Sequence, residues 1–578
     1  MKKKKELGEA SPMAALPWMN GERAVVVLYI ARILCAAPFS LLLYESISLS
    51  IVSLFAIFLD IFADRDDPFS QFFTTRPGAS SGILLGAVTL PGLMLSRLVQ
   101  MSRGLSSNEV GFADFEYFRL QYWAASASCF CVLAFLQFVL HRRVTNTQSV
   151  GSCRDWKKIS GVCCIALYAG ICCIALGAKN HFGWKMELIL FWVACHGSSA
   201  VKLIQSILQT FPACASIGET LLVTSGLVVY FGDMVALVVG KIYGYLTSPN
   251  FPSVQYFSRR SEISIIVQGM TLGLLLFPMI FKFIYQIAGC FNFQDMRPNN
   301  EIKKSLIFFG SLVFMLIAVV PSWMQFVQDF HSHPLLWVLD FVFSEPLKRL
   351  SLCTYWIALT YVSVTRFYHI SKNSKIERIL LRKYYHLMAV LMFVPALIFQ
   401  PKFLDLAFGA ALAVFLILEI IRVWRIWPLG QLVHHFMNAF TDHRDSEILV
   451  ISHFSLLLGC ALPIWLSSGF SDRPLAPFAG ILSLGIGDTM ASMVGHKYGV
   501  LRWSKTGKKT VEGTAAGIFC VLVACYVLPP LLATTGYIFT QNLFSLLVAV
   551  TASGLLEAYT AQLDNAFIPL VFYSLLCL

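Results

Sequence analysis

Leu306-Ile-Phe-Phe-Gly-Ser-Leu-Val-Phe-Met-Leu-Ile-Ala-Val-Val-Pro-Ser322 runs for 17 residues without a charge. A helix that crosses the hydrocarbon core of a bilayer needs roughly 17–25 such residues. Positions 159–178 and 385–399 read the same way, and comparable runs recur from about residue 24 to the last residue. Composition agrees, with 57% of residues hydrophobic, 13% charged and a mean hydropathy of +0.69. A soluble domain carries about twice that charged share. The expected fold is therefore all-α, a polytopic integral membrane protein with roughly 15–17 transmembrane helices.

Helices are expected at 24–44, 46–63, 80–100, 120–140, 159–178, 185–207, 217–246, 262–287, 305–322, 349–365, 384–400, 402–424, 447–468, 474–495, 513–534 and 541–558, with a short apolar tail at 566–578. Residues 1–23 form a basic N-terminus, and Lys2, Lys3, Lys4 and Lys5 are expected to keep it in the cytosol. The first apolar run starts only near Arg23, so no cleaved signal peptide is expected. Residues 24–370 are a multi-span membrane region without a motif; residues 371–578 hold nearly all the residues with chemistry to offer.

The formal charge of +12 sits in short loops between apolar runs. That pattern fits orientation by the positive-inside rule and gives no reason to expect a nucleic-acid partner. Sixteen cysteines, among them Cys163, Cys164, Cys172 and Cys173, lie largely inside apolar runs and read as packing residues, not as a disulfide framework or a zinc site. With a cytosolic N-terminus, the loop after the fourth helix (Arg142, Arg143, Arg154, Lys157, Lys158) also faces the cytosol. The mixed loop after the third, with Glu109, Asp114 and Glu116, fits the other side. In the last third, loop 366–383 is basic (Arg366, Lys372, Lys375, Arg378, Arg382, Lys383), and pairs of helices return the chain to the same face at 425–446, 496–512 and 558–565. The polar residues of this third can thus converge on one site at one membrane boundary.

The densest chemistry reads Gly485-Ile-Gly-Asp-Thr-Met-Ala-Ser-Met-Val-Gly-His-Lys-Tyr-Gly499, followed by Arg502-Trp-Ser-Lys-Thr-Gly-Lys-Lys-Thr-Val-Glu-Gly513. On a helix, Asp488, Ala491, Ser492, Gly495 and Gly499 share a face. Small residues there let a second helix, or a phosphate, approach the backbone. Asp488 is an ionisable group at the edge of an apolar run, costly unless paired or metal-bound. Lys505, Lys508 and Lys509 are close enough to surround a triphosphate, while Thr510 and Glu512 offer a hydroxyl and a carboxylate to Mg2+. The string is no Walker A loop, and a glycine-packed helix before an ordinary basic loop is the plainer alternative.

This string resembles the CTP-binding segment of dolichol kinases and, more loosely, those of polyprenol kinases and phosphatidate cytidylyltransferases. Leu555-Leu-Glu-Ala-Tyr-Thr-Ala-Gln-Leu-Asp-Asn-Ala-Phe-Ile-Pro569 is similar to the C-terminal signature of the dolichol kinases. In it Glu557 and Asp564 are seven apart, which on one helix puts both carboxylates on one face. Arg382-Lys383-Tyr-Tyr-His386 and Asp442-His-Arg-Asp445 also resemble family segments. His386 taken alone reads first as a membrane-interface histidine. Asp442 and Asp445 can cap a helix starting near Ser446, and Glu419 and Arg422 are expected to pair with each other.

The resemblance is good over roughly 380–578 and makes 371–578 the catalytic membrane domain, with a CTP-binding loop at 485–513. It implies phosphoryl transfer from CTP to dolichol, giving dolichyl phosphate, at the cytosolic face of the endoplasmic reticulum membrane in support of protein glycosylation. Catalytic roles are then expected for Asp488, Asp564 and His386. CTP contacts are expected from Gly485, Gly487, Thr489, Ser492, Lys505, Lys508, Lys509, Thr510 and Gly513. Asp488, Asp564 and Glu512 are expected to hold Mg2+ or another divalent cation. Arg382, Lys383, Asp442, Asp445, Glu557, Gln562 and Asn565 are further polar candidates. The partners are CTP and a membrane polyprenol; no protein partner is legible. A phytol or farnesol kinase, a phosphatidate cytidylyltransferase, or a transporter with Asp488 and Asp564 as coupling sites are the competing readings.

Overall fold

Proline lacks an N–H to donate and has a fixed φ, so it interrupts a helix. Pro38 does this to the first apolar run: the chain opens with α1 (Gly21–Ala36) and α2 (Phe39–Asp66), not with two helices meeting near residue 45. The computed structural model describes residues 20–66, 69, 72–146, 152–178, 186–246, 260–287, 298–373, 378–438, 449–467, 472–503, 509–533 and 542–578. Among them every regular element is a helix, beside one isolated β-bridge between Arg502 and Thr510.

The spans continue as α3 (Ile83–Ser106), α4 (Phe112–Asn146), α5 (Ser152–Ala178), α6 (Met186–Thr210), α7 (Ile217–Leu246) and α8 (Glu262–Ile287). Then come α9 (Pro298–Phe314), a π-helical stretch (Met315–Val319), α10 (Val320–Val327), α11 (Pro334–Ser344), α12 (Pro346–Asn373), α13 (Arg378–Phe399) and α14 (Pro401–Trp424). The last third adds α15 (Gly430–Asn438), α16 (Ile451–Ser467), a second π-helical stretch (Ile481–Asp488), α17 (Thr489–Tyr498), α18 (Val511–Ala533), α19 (Leu543–Tyr559) and α20 (Asp564–Leu576). Among the described residues nine stretches are long and apolar enough to cross a membrane, and six shorter apolar helices lie among them. The protein is an all-α polytopic membrane protein.

Two departures have local causes. Pro321 cannot donate to the turn before it, and the ladder widens into the π-helical stretch directly upstream. α11 and α15, with 11 and 9 residues, are too short to stand out as separate apolar runs. The expected Glu419–Arg422 pair is present in α14: Arg422 Nε and Nη2 donate to the Glu419 carboxylate at 2.8 and 2.7 Å. Both residues are buried, and the Val450 N–H donates to Glu419 Oε1 at 3.1 Å, tying the start of α16 to the end of α14. Arg422→Ala strands a buried carboxylate and is expected to cost about 3–5 kcal/mol, read as a lowered Tm of the detergent-purified protein.

The apolar core does not divide at residue 370. One cluster joins α1–α7 to α13, α16 and α18–α20, and a second gathers α8–α10 with α14 and α15. Long-range polar contacts mark the two ends of the bundle. At one end Arg23 at the start of α1 pairs with Asp60 and Asp64 at the end of α2, Gly21 lies against Tyr559, and Glu219 at the start of α7 meets Leu563. At the other end Arg103 reaches Asp472 and the Cys577 carbonyl. Alternating spans put the ends of α4 and α12 at the first end with the start of α1, and the loop after α3 at the second.

Candidate active site

Asp488 ends the second π-helical stretch and is 3% exposed. A buried carboxylate is stable only with partners, and α13 provides them. Lys383 Nζ forms an ion pair with Asp488 Oδ2, and His386 Nδ1 stands 3.2 Å from the same oxygen. Three residues apart on a helix, Lys383 and His386 necessarily share a face. His386 is buried and turned to Asp488. Ser492 Oγ lies 3.5 Å from Asp488 Oδ1, and Thr489 Oγ1 donates to the Lys383 carbonyl at 3.3 Å. Arg382, named with His386 from the sequence, has its side chain outside the described residues.

The segment after α17 folds back as a short hairpin. Trp503 N–H donates to the Lys509 carbonyl at 3.2 Å and Val511 N–H to the Leu501 carbonyl at 2.8 Å. Glu512 accepts from the Leu501 N–H at 2.9 and 3.2 Å, and Thr510 Oγ1 accepts from the Gly513 N–H at 3.2 Å, capping α18. These two side chains therefore brace the hairpin base. Lys505 and Lys508 lie outside the described residues, as do Asp442 and Asp445. The glycines serve close helix approach. Gly485 lies against Val390 of α13, and a Cβ on Gly513 would stand 2.5 Å from the Ala491 carbonyl oxygen of α17. Gly487 sits beside Gly517 and Val521 of α18.

Lys509 brings the hairpin to α19. Its Nζ lies 3.0 Å from Glu557 Oε1 and also donates to the Glu557 carbonyl. Burial alone would push the Lys509 ammonium pKa down; the carboxylates of Glu557, then Asp564 and Asp488, outweigh it and hold it above its ordinary value. The side chain thus stays cationic through the physiological range, and its contribution to stability is lost only as pH rises through that raised value.

The expectation that Glu557 and Asp564 share one helical face needs correction. α19 stops at Tyr559 and α20 starts at Asp564, so a non-helical turn, 560–563, separates them. The turn nevertheless carries Asp564 back to the same place, where both carboxylates act on Lys509. The Asn565 N–H donates to Asp564 Oδ1 at 3.1 Å. Gln562 points away, into the N-terminal helices, where it is 1% exposed. One cavity joins these parts: Asp488, Glu557, Ser483 and Thr514 line it together with Val550 and Phe572. Carboxylates meet an apolar lining there, in a space of about 20 Å³, room for about one water molecule.

Comparison with known proteins extends this picture. The family model for dolichol kinase matches residues 200–460. "Dolichol kinase EVAN" of Arabidopsis thaliana is 60% identical over 98% of this chain and 99% of its own length. The chain belongs to the dolichol kinase family. The human dolichol kinase is 30% identical over 88% of this chain and 87% of its own, and the Schizosaccharomyces pombe dolichol kinase sec59 is 31% identical over 47% and 55%. No solved structure matches. Likeness to the dolichol kinases is thus not confined to the last third, where the motifs lie. The family model takes in Glu219, Lys383 and His386 and ends before Asp488; the plant relative matches almost the whole chain.

Proposed function

We propose that the protein is a CTP-dependent dolichol kinase, transferring the γ-phosphoryl group of CTP to the hydroxyl of dolichol to give CDP and dolichyl phosphate. The reading rests above all on the convergence of Lys383, His386, Asp488, Lys509 and Glu557 at one end of a membrane bundle. Full-length likeness to dolichol kinases supports the acceptor, and the resemblance of 485–513 to a CTP-binding segment supports the donor. The basic loops at the site's end of the bundle support a cytosolic face. A polyprenol alcohol at a membrane surface and a soluble nucleotide can meet only at such a boundary. By its product the enzyme serves protein glycosylation from the endoplasmic reticulum membrane.

Phosphoryl transfer needs positioning and charge neutralisation more than covalent chemistry. Among the described residues no group of three or more His, Cys, Asp or Glu side chains could hold a metal ion by itself. Magnesium is commonly held by one or two carboxylates plus substrate phosphates, and Asp488 with Glu557, lining one cavity beside Asp564, fit that mode. When bound, Mg2+ neutralises charge developing on the transferring phosphoryl group. Lys509, with Lys505 and Lys508 just before it in the sequence, binds the β- and γ-phosphates. His386, whose Nδ1 stands beside Asp488, takes the alcohol proton on Nε2 as the new O–P bond forms and the β–γ bridge breaks.

His386→Ala is expected to lower kcat by about 10²–10⁴-fold, read from γ-phosphoryl transfer of labelled CTP to dolichol. The reading itself is tested with purified protein, CTP labelled at the γ- or the α-phosphate, and a panel of dolichol, phytol, farnesol and phosphatidate. Label from the γ-position in dolichyl phosphate supports it. Label from the α-position in the lipid, with pyrophosphate released, makes the protein a cytidylyltransferase and overturns it, as does preference for phytol or farnesol.

A further inference from the structure

The 560–563 turn, which sets where Glu557 and Asp564 stand, is held almost wholly by residues far away in sequence and devoid of any motif. Arg76 Nη2 donates to the Ala561 carbonyl at 3.2 Å and forms an ion pair with Glu219. Glu219 Oε1 accepts from the Leu563 N–H at 2.7 Å, and Oε2 from the Ser216 N–H at 2.8 Å. Gln562 Nε2 donates to the Ser80 carbonyl at 3.0 Å and to Ser80 Oγ at 2.8 Å, while Ser216 Oγ donates to Gln562 Oε1. Arg76, Glu219 and Gln562 are 7%, 3% and 1% exposed.

Burying a charge pair is expensive, and alone it is weak evidence of stabilisation. This pair does more than neutralise itself. Each partner also meets a backbone group of the turn, the guanidinium a carbonyl and the carboxylate an N–H. A non-helical backbone packed inside a membrane bundle needs such partners. Gly82, at φ +62°, brings the backbone before α3 against the Gln562 amide, a conformation and a proximity that exclude a side chain.

The geometry points to Arg76, Glu219 and Gln562 as positioning residues that hold Glu557 and Asp564 at their working separation. The inference rests on the kinase reading above. It also gives the first helices a part in the reaction: the end of α19 and the start of α20 take their geometry from the segment before α3 and the start of α7.

A structural ion pair and a positioning one respond differently to charge reversal. In Arg76→Glu/Glu219→Arg the opposite charges are restored, but a donor now faces the Leu563 N–H and an acceptor faces the Ala561 carbonyl. Tm should return toward that of the parent, compared with either single change, while kcat stays about 10–100-fold down and the Mg2+ concentration for half-maximal rate rises. If the reversed pair does not fold, Arg76→Lys decides: it keeps the charge, loses the fork, and is expected to fold with a roughly tenfold lower kcat and unchanged KM for dolichol. Hydrogen exchange over 557–564, measured on the same full-length protein, reads the turn independently of the reaction and should rise in Arg76→Lys. A folded Arg76→Lys with parental kcat, Mg2+ dependence and exchange overturns the inference, and so does a reversed pair with parental kcat. A parent protein that phosphorylates no polyprenol refutes the kinase reading instead, and the exchange measurement still decides whether Arg76 holds the turn.

Discussion

Asp488→Asn is expected to reduce dolichol phosphorylation by about 10³-fold or more while the protein still inserts and folds. Asparagine keeps the size of the side chain and an oxygen toward Ser492, so the packing of the π-helical stretch on α13 survives. It removes the negative charge that faces Lys383, His386 and the cavity. The part-buried Lys383 ammonium then lacks its counter-charge, a cost of about 1–3 kcal/mol that should appear as a modest drop in Tm. Adding Lys383→Met separates the two effects: the double variant should regain stability without regaining activity. The comparison needs kcat with labelled CTP and Tm in the same lipid preparation. Near-parental turnover by Asp488→Asn would sink the site assignment.

Gly513→Val is expected to be the most damaging single change to the fold of the last third, at about 3 kcal/mol or more. A Cβ there would stand 2.5 Å from the Ala491 carbonyl oxygen and 3.0 Å from Gly495 Cα. Both are backbone atoms of α17, so neither can swing aside as a side-chain end can. The two helices would have to separate, carrying Thr510 and Lys509 off their partners. Yield and Tm of the purified variant read this directly, and a parental Tm would mean that α17 and α18 do not cross as described.

Much of this was legible in the residues alone. Apolar runs announced the helical membrane fold because length and hydropathy are local quantities, and Glu419 with Arg422 paired as expected because three positions on one helix are neighbours by geometry. Basic loops placed the start of α1 at the same face as the site, in agreement with Gly21 lying against Tyr559. The π-helical stretch at Asp488 was not legible, because one extra residue in a turn leaves no compositional trace. The seven-residue spacing of Glu557 and Asp564 suggested one face only so long as the helix continued; capture of the Leu563 N–H and the Ala561 carbonyl by Glu219 and Arg76 accompanies its break. Those partners lie 344 and 485 positions away, beyond any local pattern. Gln562 was picked as polar and near the motif, but only its contacts reveal that it faces the first helices. The glycines of 485–513 were read as open to a phosphate or a helix, and Gly485 and Gly513 meet helices.

The central claim is that side chains from α13, the π-helical stretch, the hairpin before α18 and the end of α19 form one reaction centre. A double-mutant cycle on Asp488→Asn and Glu557→Gln tests it most directly, with the rate of γ-phosphoryl transfer from CTP to dolichol as the readout. Residues that act as a unit are strongly non-additive, so the double variant should be about as slow as the worse single one. Losses that simply multiply would place the two carboxylates in separate roles and contradict a single composite site.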